Sequence, residues 1–357
     1  MKIAITSLYL PSGSKQGVGY VVHYLANELV KRGHDVTVFS QCGPSADSLY
    51  RVNFVQARAR LATFGFAWDL RKIDFSGFDV LNAHGDDWFL WGTRRPHHIH
   101  TFHGSCWQEM KHSRRWNQKL RMAALAACEL SAAYLADENT AVSSNTRRTV
   151  PRIKHIIPNG VSLETFAPVP ENEKSAAPSI VFVGNLHGRK RGDLLLRVFR
   201  EQIRPVLPDA QFWGVSLPPD EVRDPQESGE QWFWRIPLEQ LRDLYSRAHV
   251  FCLPSSYEGF GVPYIEAMAS GTPVVSSPNA GACEVTRDGR DGLLCRDEEL
   301  GNTLLRVLQD QNLRTQLREA GLKRAQDFSW ERVCAQYLAL YERKNPSEIA
   351  KATKESA

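Results

Sequence analysis

The segment Ser255–Thr272 reads SSYEGFGVPYIEAMASGT; it follows an apolar run with the marks of a strand and opens a helical pattern. Gly259 and Gly261 let the backbone approach a ligand closely and expose amide N–H groups, and the helix amino end beyond them favours an anion. Such a terminus is worth about 0.3–1 kcal/mol per charge at an exposed site. Glu258 precedes the helix and Glu266 lies about two turns into it, so the two carboxylates cannot do the same job. Glu258 stands at the crevice, where it could accept hydrogen bonds from a sugar. Glu266 is placed to bind the paired hydroxyls of a ribose, a role that acidic residues also fill in dinucleotide folds. The plain alternative is a surface turn followed by an ordinary helix. A lone pair of glutamates at this spacing would be chance, whereas E-G-F-G-x-P-x-x-E between a strand and a helix is specific.

Other residues look reactive and read differently on inspection. Gly17-x-Gly19 is followed by Val22 rather than a third glycine, and the second strand ends in Phe39–Ser40 with no acid to grip a ribose, so nicotinamide binding is excluded. Gly13-Ser14-Lys15 is no phosphate-binding P-loop, because Leu8 stands where its first glycine belongs. His98 and His100 would share one side of a strand, and His84 lies near Asp86 and Asp87, which superficially suggests metal ligands. No third ligand is spaced convincingly, and Asp86–Asp87 lacks the D-x-D form, so it reads as a loop facing an acceptor.

The elements that must hold these residues alternate throughout. Strand-like runs fall at Lys2–Ser7, Asp35–Ser40, Asp79–Ala83, His98–Phe102, Asn139–Ser143 and Lys154–Ile157, the sign of parallel βαβ construction. Between the first two lies a helical pattern, Gly19–Arg32, closed by Gly33, and a longer one rich in Ala and Leu runs from Arg114 to Ala136. The polar, Pro-rich stretch Ala167–Pro178 reads as an interdomain linker. The alternation then restarts, with strands at Ser179–Val183, Ala210–Gly214, His249–Leu253 and Pro273–Ser276, and helices from Gly192, Leu238 and Gly261. A last amphipathic helix, Phe328–Arg343, buries Val333, Tyr337, Leu340 and Tyr341. The expected fold class is therefore α/β, with two Rossmann-like doubly wound domains. The expected boundaries are 1–168, 169–327, a helix at 328–345 and a frayed tail at 346–357.

A length of 357 residues suits two domains with real cores. The net charge of +4 suits anionic small molecules and falls well short of a nucleic-acid binder's footprint. Seven scattered cysteines without a C-x-x-C pair point to a reducing, cytoplasmic compartment and away from zinc. The apolar run after Met1 stops at Pro11, too short for an export signal, and no stretch is long enough to span a membrane. Lys111–Arg121, with Trp107 and Trp116 beside it, raises a peripheral contact with the inner face of a membrane; the solvated start of a helix is the favoured reading.

In order and spacing, a set of motifs resembles the retaining glycosyltransferases of family 4, with the GT-B fold. They are Gly17–Gly19, Thr101–Phe102–His103–Gly104, Pro158–Asn159–Gly160–Val161, Val183–Gly184, Lys190, the Glu258-to-Glu266 block and Ser329–Trp330, and they run through nearly the whole chain. The resemblance implies that the two domains face one another across a cleft and that the last helix packs back on the first domain. It implies donor contacts from Gly17, Val18, Gly19, Asn159, Gly184, Arg189, Lys190, Glu258, Gly259, Phe260, Gly261, Val262 and Glu266. It gives catalytic parts to His103 at the sugar, Lys190 at the leaving diphosphate, and Glu258. Members often carry an Arg directly after the glycine; Asn185 stands there instead, and Arg189 or Arg191 is the candidate replacement, each weighed evenly against a solvated basic turn.

The implied reaction moves a hexosyl group from a UDP- or GDP-sugar to a glycan, lipid-linked or small-molecule acceptor, without metal or cofactor and with retention. No carboxylate of the first domain is obviously a nucleophile, so same-face attack fits better than a covalent intermediate. Loops Gln41–Ala67 and Gly85–Pro96 would choose the acceptor. Two other readings keep the fold: a nucleotide-sugar epimerase, and a non-catalytic nucleotide-sugar-binding homologue.

Overall fold

Alternating apolar runs and amphipathic segments become strands and crossover helices in a computed structural model that describes residues 1–12, 17–56, 62–112, 116–219 and 224–343. The chain divides into two compact units, Met1–Gly160 together with the segment from Trp330 onward, and Val161–Ser329. Gly13, Ser14, Lys15, Arg114 and the tail at 346–357 lie outside the described residues.

The first unit holds a parallel sheet. Its described strands are β1 (Lys2–Thr6), β2 (Asp35–Ser40), β3 (Arg51–Phe54), β4 (Val80–Ala83), β5 (His97–Phe102), β6 (Glu138–Ala141) and β7 (His155–Ile156). Their order is β3-β2-β1-β4-β5-β6-β7, with Ile3 paired to both Val36 and Val80. The chain starts in the middle, winds outward, returns to the centre and winds the other way, leaving a crevice beyond the carboxyl ends of β1 and β4. Helix Val18–Lys31 packs Val22, Leu25 and Leu29 against Ile3 and Ile5, and Gly33, at φ +83°, turns the chain out of it.

The closing helix, Trp330–Tyr341, completes this same core with Val333, Tyr337, Leu340 and Tyr341. Trp330 covers Gly160 so closely that a Cβ there would sit 2.4 Å from the ring. Buried Asn82, at the centre of β4, donates to the Tyr341 hydroxyl at 2.6 Å.

The second unit repeats the construction with β8 (Ser179–Val183), β9 (Gln211–Val215), β10 (Glu230–Phe233), β11 (Val250–Leu253), β12 (Val274–Ser276) and β13 (Leu293–Leu294). Its order is β10-β9-β8-β11-β12-β13, so the winding reverses between β8 and β11. Helices begin at Gly192, Leu238 and Val262.

Two expectations change. The division falls at Gly160/Val161 and Ser329/Trp330, and the expected linker Ala167–Pro178 belongs to the body of the second unit. Its Lys174 donates to the Ala248 carbonyl at 3.0 Å, and Arg318 reaches back to the Val169 carbonyl at 2.8 Å. Polar composition there serves side-chain anchoring, not a flexible spacer. Strands β3 and β10 were not legible. β3 is a largely exposed edge without apolar alternation, and β10 buries the charged Glu230 against Arg200 at 2.7 and 2.8 Å.

Tyr341→Phe strands the buried Asn82 amide and is expected to cost about 1–2 kcal/mol of unfolding free energy. Urea denaturation checks it, with an unchanged midpoint contradicting the docking of the last helix.

Candidate active site

The turns that follow β8 and β11 stand side by side at the second unit's switch point, where open α/β sheets bind ligands. After β8 the chain passes Gly184 at φ +151°, a conformation that leaves room for the Lys190 stem; a Cβ on Gly184 would lie 3.1 Å from Lys190 Cγ. After β11 it passes Ser255 to Gly261, and Gly261, left-handed at φ +98°, starts helix Val262–Ala269. Any side chain at Gly261 would meet the Tyr264 ring at 2.4 Å.

Between the turns, Glu258 is 4% exposed and faces two cations. Lys190 Nζ lies 2.8 Å from Glu258 Oε1, and Arg189 donates to Oε2 at 3.0 Å and to the Tyr257 carbonyl at 3.0 Å. Burial pushes the Glu258 carboxyl upward, but Lys190 and Arg189 outweigh it and hold the group below the usual glutamate range. Lys190 is itself drawn down, by burial first and by Arg189, with Glu258 opposing. Glu266 accepts a hydrogen bond from the Tyr245 hydroxyl at 3.1 Å, and burial raises its carboxyl to about 7 against the pull of Tyr245 and Lys190.

Arg191 has other work. Its left-handed backbone, φ +51°, turns the guanidinium onto Asp297 at 2.6 and 3.0 Å, Ser277 at 2.8 Å and the Pro254 carbonyl at 2.6 Å. Of the two candidates to stand in for an Arg at position 185, only Arg189 joins Lys190 at Glu258. Supporting groups that sequence reasoning missed are Tyr264, whose hydroxyl meets Ser276 at 2.9 Å, and Asn279, which donates to the Ser255 carbonyl at 3.1 Å. Gly281 brings the next helix against the Glu258 turn, where a Cβ would lie 2.9 Å from Glu258 Cβ. These anchors are common residue types far along the chain, and no spacing rule points to them.

The structure thus gathers Gly184, Arg189, Lys190, Glu258, Gly259, Phe260, Gly261, Val262 and Glu266 in the second unit. Gly17, Val18, Gly19, His103 and Asn159 belong to the first. Gly17 precedes helix Val18–Lys31 at φ +109°, and Gly19 presses on the loop after β1, where a Cβ would lie 2.8 Å from the Tyr9 carbonyl oxygen. Asn159 is 6% exposed, and its Oδ1 has no hydrogen-bond partner among the described residues. His103, just past β5, is partly exposed and pairs its Nε2 with Nδ1 of buried His84 at 2.8 Å. Burial, then His100, lowers the His103 imidazole to about 3, so it is neutral at physiological pH.

The expectation that Asp86–Asp87 faces an acceptor is corrected for Asp87. That carboxylate is fully buried and accepts from His98 Nε2 at 2.8 Å and His100 Nδ1 at 2.7 Å. Two ring donors let a charge sit in the interior, where an unpaired one would not be tolerated. The resemblance of these histidines to metal ligands is explained by the same bonds, and among the described residues no cluster of three or more ligating side chains is arranged for a metal.

Because Glu266 holds its proton to about 7, the folded state binds a proton that an unfolded glutamate has released. Stability from that proton is complete below the unfolded value and is lost as pH rises through 7. From about pH 5 to about pH 8 the urea midpoint of the native chain should therefore fall more than that of Glu266→Gln. Parallel curves would contradict the buried, proton-holding carboxyl.

Residues 15–165 match the family described as Glycosyltransferase Family 4, and residues 177–310 match Glycosyl transferases group 1. The chain is 29% identical over 211 residues to D-inositol 3-phosphate glycosyltransferase of Kribbella flavida, covering 52% of this chain and 50% of that protein. It therefore spans about half the length of that relative. Sucrose-phosphate synthase from Thermosynechococcus elongatus superposes with a TM-score of 0.77 at 23% identity, over 96% of this chain and 98% of that one. The Anabaena HepE protein in complex with UDP-glucose superposes with a TM-score of 0.73 at 16% identity, over 95% and 99% of the two chains. With both units matched in sequence and the whole course matched in fold, the chain belongs to glycosyltransferase family 4 and has the GT-B fold.

Proposed function

We propose that the chain transfers a hexosyl group from a UDP- or GDP-sugar to a glycan, lipid-linked or small-molecule acceptor, with retention and without a metal. The observation that carries this reading is the buried Glu258 carboxylate flanked by Lys190 and Arg189 at the second unit's switch point. Two cations are held at 2.8 and 3.0 Å from one carboxylate, beside a helix amino end. That is a site prepared for anionic oxygens as well as for a sugar hydroxyl. Support for the donor class comes from the Anabaena neighbour, whose structure holds UDP-glucose.

In the proposed reaction the bond between the anomeric carbon and the diphosphate oxygen breaks, and its electron pair leaves with the phosphate. Lys190 and Arg189 meet the charge that develops there, which is where preorganised cations are most effective. The acceptor oxygen bonds to the anomeric carbon on the face the diphosphate leaves, and its proton passes to the departing phosphate oxygen. Glu258 holds the two cations and accepts from a sugar hydroxyl, while Glu266 accepts from the ribose. His103, neutral and oriented by His84, contributes a hydrogen bond to the sugar rather than a charge.

This division of labour is testable with titration calorimetry beside turnover. Glu266→Ala is expected to weaken nucleotide binding, whereas His103→Ala keeps it and slows transfer. Equal loss of binding in both variants would refute the assignment. Lys190→Ala should lower turnover by about a hundredfold or more and donor affinity by much less, since charge appears only on leaving. Undiminished turnover in that variant would remove Lys190 from the mechanism.

A further inference from the structure

Helix Trp116–Leu135 carries two apolar stripes. One is used: Leu125, Cys128 and Ala132 pack on Trp88 and Ala67, and Leu135 joins the core beside Leu81 and Leu90. The other stripe points the opposite way. Trp116, Leu120, Ala123, Ala127, Leu130 and Tyr134 follow one another at intervals of four, three, four, three and four residues, and all are exposed. Exposure reaches 74% at Trp116, 57% at Leu120, 47% at Leu130 and 56% at Tyr134. Trp91, 51% exposed, flanks the stripe by donating to the Ser131 hydroxyl at 2.8 Å. The Arg152 guanidinium lies over the Tyr134 ring, 5.2 Å from its centroid, and leaves that ring more than half exposed. Exposed large apolar side chains in such a row mark an interaction surface, and the alternating spacing is that of a helix–helix seam.

The stripe is also a palindrome in size. Read inward from either end it runs aromatic, leucine, alanine: Trp116 answers Tyr134, Leu120 answers Leu130, and Ala123 answers Ala127. From this self-complementarity we infer that the exposed face of helix Trp116–Leu135 is the two-fold interface of a homodimer, in which the helix pairs antiparallel with the same helix of a second copy. A two-fold operation requires one patch to fit itself. Here it would set each aromatic ring against its counterpart at the far ends and bring the alanines together at the axis. Short side chains at that crossing let helix axes approach to about 8 Å. The helix has 20 residues, so the seam extends about 30 Å in each copy.

Charge selects the antiparallel sense. Lys119 borders the stripe; parallel pairing would set it against its own copy, whereas antiparallel pairing sets it against Ser131 and separates the two lysines by about 18 Å along the axis. A lipid surface fits less well. Helices that lie in a membrane interface present a broad apolar face with cations along the polar one, and this seam is narrow, with Asn117 and Ser131 along its other border.

Sedimentation of the full chain over a range of concentrations, with Ala127→Glu and Leu120→Glu as variants, tests the assignment. The native chain should sediment as a dimer, and each variant should raise the dissociation constant by about tenfold or more with an unchanged circular dichroism spectrum and unfolding midpoint. Oxidation of the double variant Leu120→Cys, Leu130→Cys should give a covalent dimer with 120–130 bonds, mapped by mass spectrometry. Leu120→Cys alone should not cross-link through position 120, because the paired positions are about 15 Å apart. A monomer at every concentration, dimers indifferent to both glutamates, or efficient 120–120 cross-linking would overturn the inference. So would a chain that stays monomeric and uses Trp116 to bind phosphatidylserine vesicles.

Discussion

A carboxylate that is 4% exposed survives in the second unit because two cations meet it. Removing one partner of such a buried pair typically costs about 3–5 kcal/mol, since the other charge is then left without compensation. Lys190 and Arg189 come from the turn after β8 and Glu258 from the turn after β11, so this one charge cluster ties together the two sides of the switch point. Neighbouring features serve the tie. Gly184 yields space to the Lys190 stem, Gly281 lets a helix press on the Glu258 turn, and Asn279 holds Ser255 in place. The arrangement that would receive a diphosphate is thus the arrangement that closes the loops. A cluster held this way is preorganised, and in the proposed transfer its cations would need no rearrangement as charge develops beside them.

The first unit solves its polar burial differently. Asp87 takes hydrogen bonds from His98 and His100, and the carboxyl of Asp87 stays well below the usual range because these two outweigh the cost of burial. With those rings committed, His84 and His103 pair with each other, and both imidazoles are lowered by burial. The residue at 103 therefore offers a hydrogen bond of fixed direction and no charge. The last helix completes the same unit from the far end of the chain, through Asn82 to Tyr341 and Trp330 on Gly160.

Much of this was legible from the residues. Apolar runs marked β2 and β8 to the residue, and the spacing of Glu258 and Glu266 around two glycines marked the turn that carries the buried, cation-paired carboxylate. What escaped depended on contacts distant in sequence. Arg189 and Arg191 are alike as letters, and only the left-handed backbone at Arg191 sends one to Asp297 while the other meets Glu258. β10 escaped because its buried Glu230 inverts the expected pattern, and Arg200 that permits it lies on another element. Lys174 made a structural strap look like a linker, because its carbonyl partners Ala248 and Gly271 lie far ahead in the chain. Asp87 looked like a loop acid until two strand histidines closed on it.

In the proposed function the charge cluster serves transfer, rather than binding or isomerisation alone. Released UDP or GDP, measured across a panel of hexosyl donors with and without glycan, lipid-linked and small-molecule acceptors, tests that directly. Transfer gives nucleoside diphosphate release that rises with one acceptor class and a product heavier by one hexose. Binding without turnover, or an isomerised donor with no acceptor dependence, would contradict it.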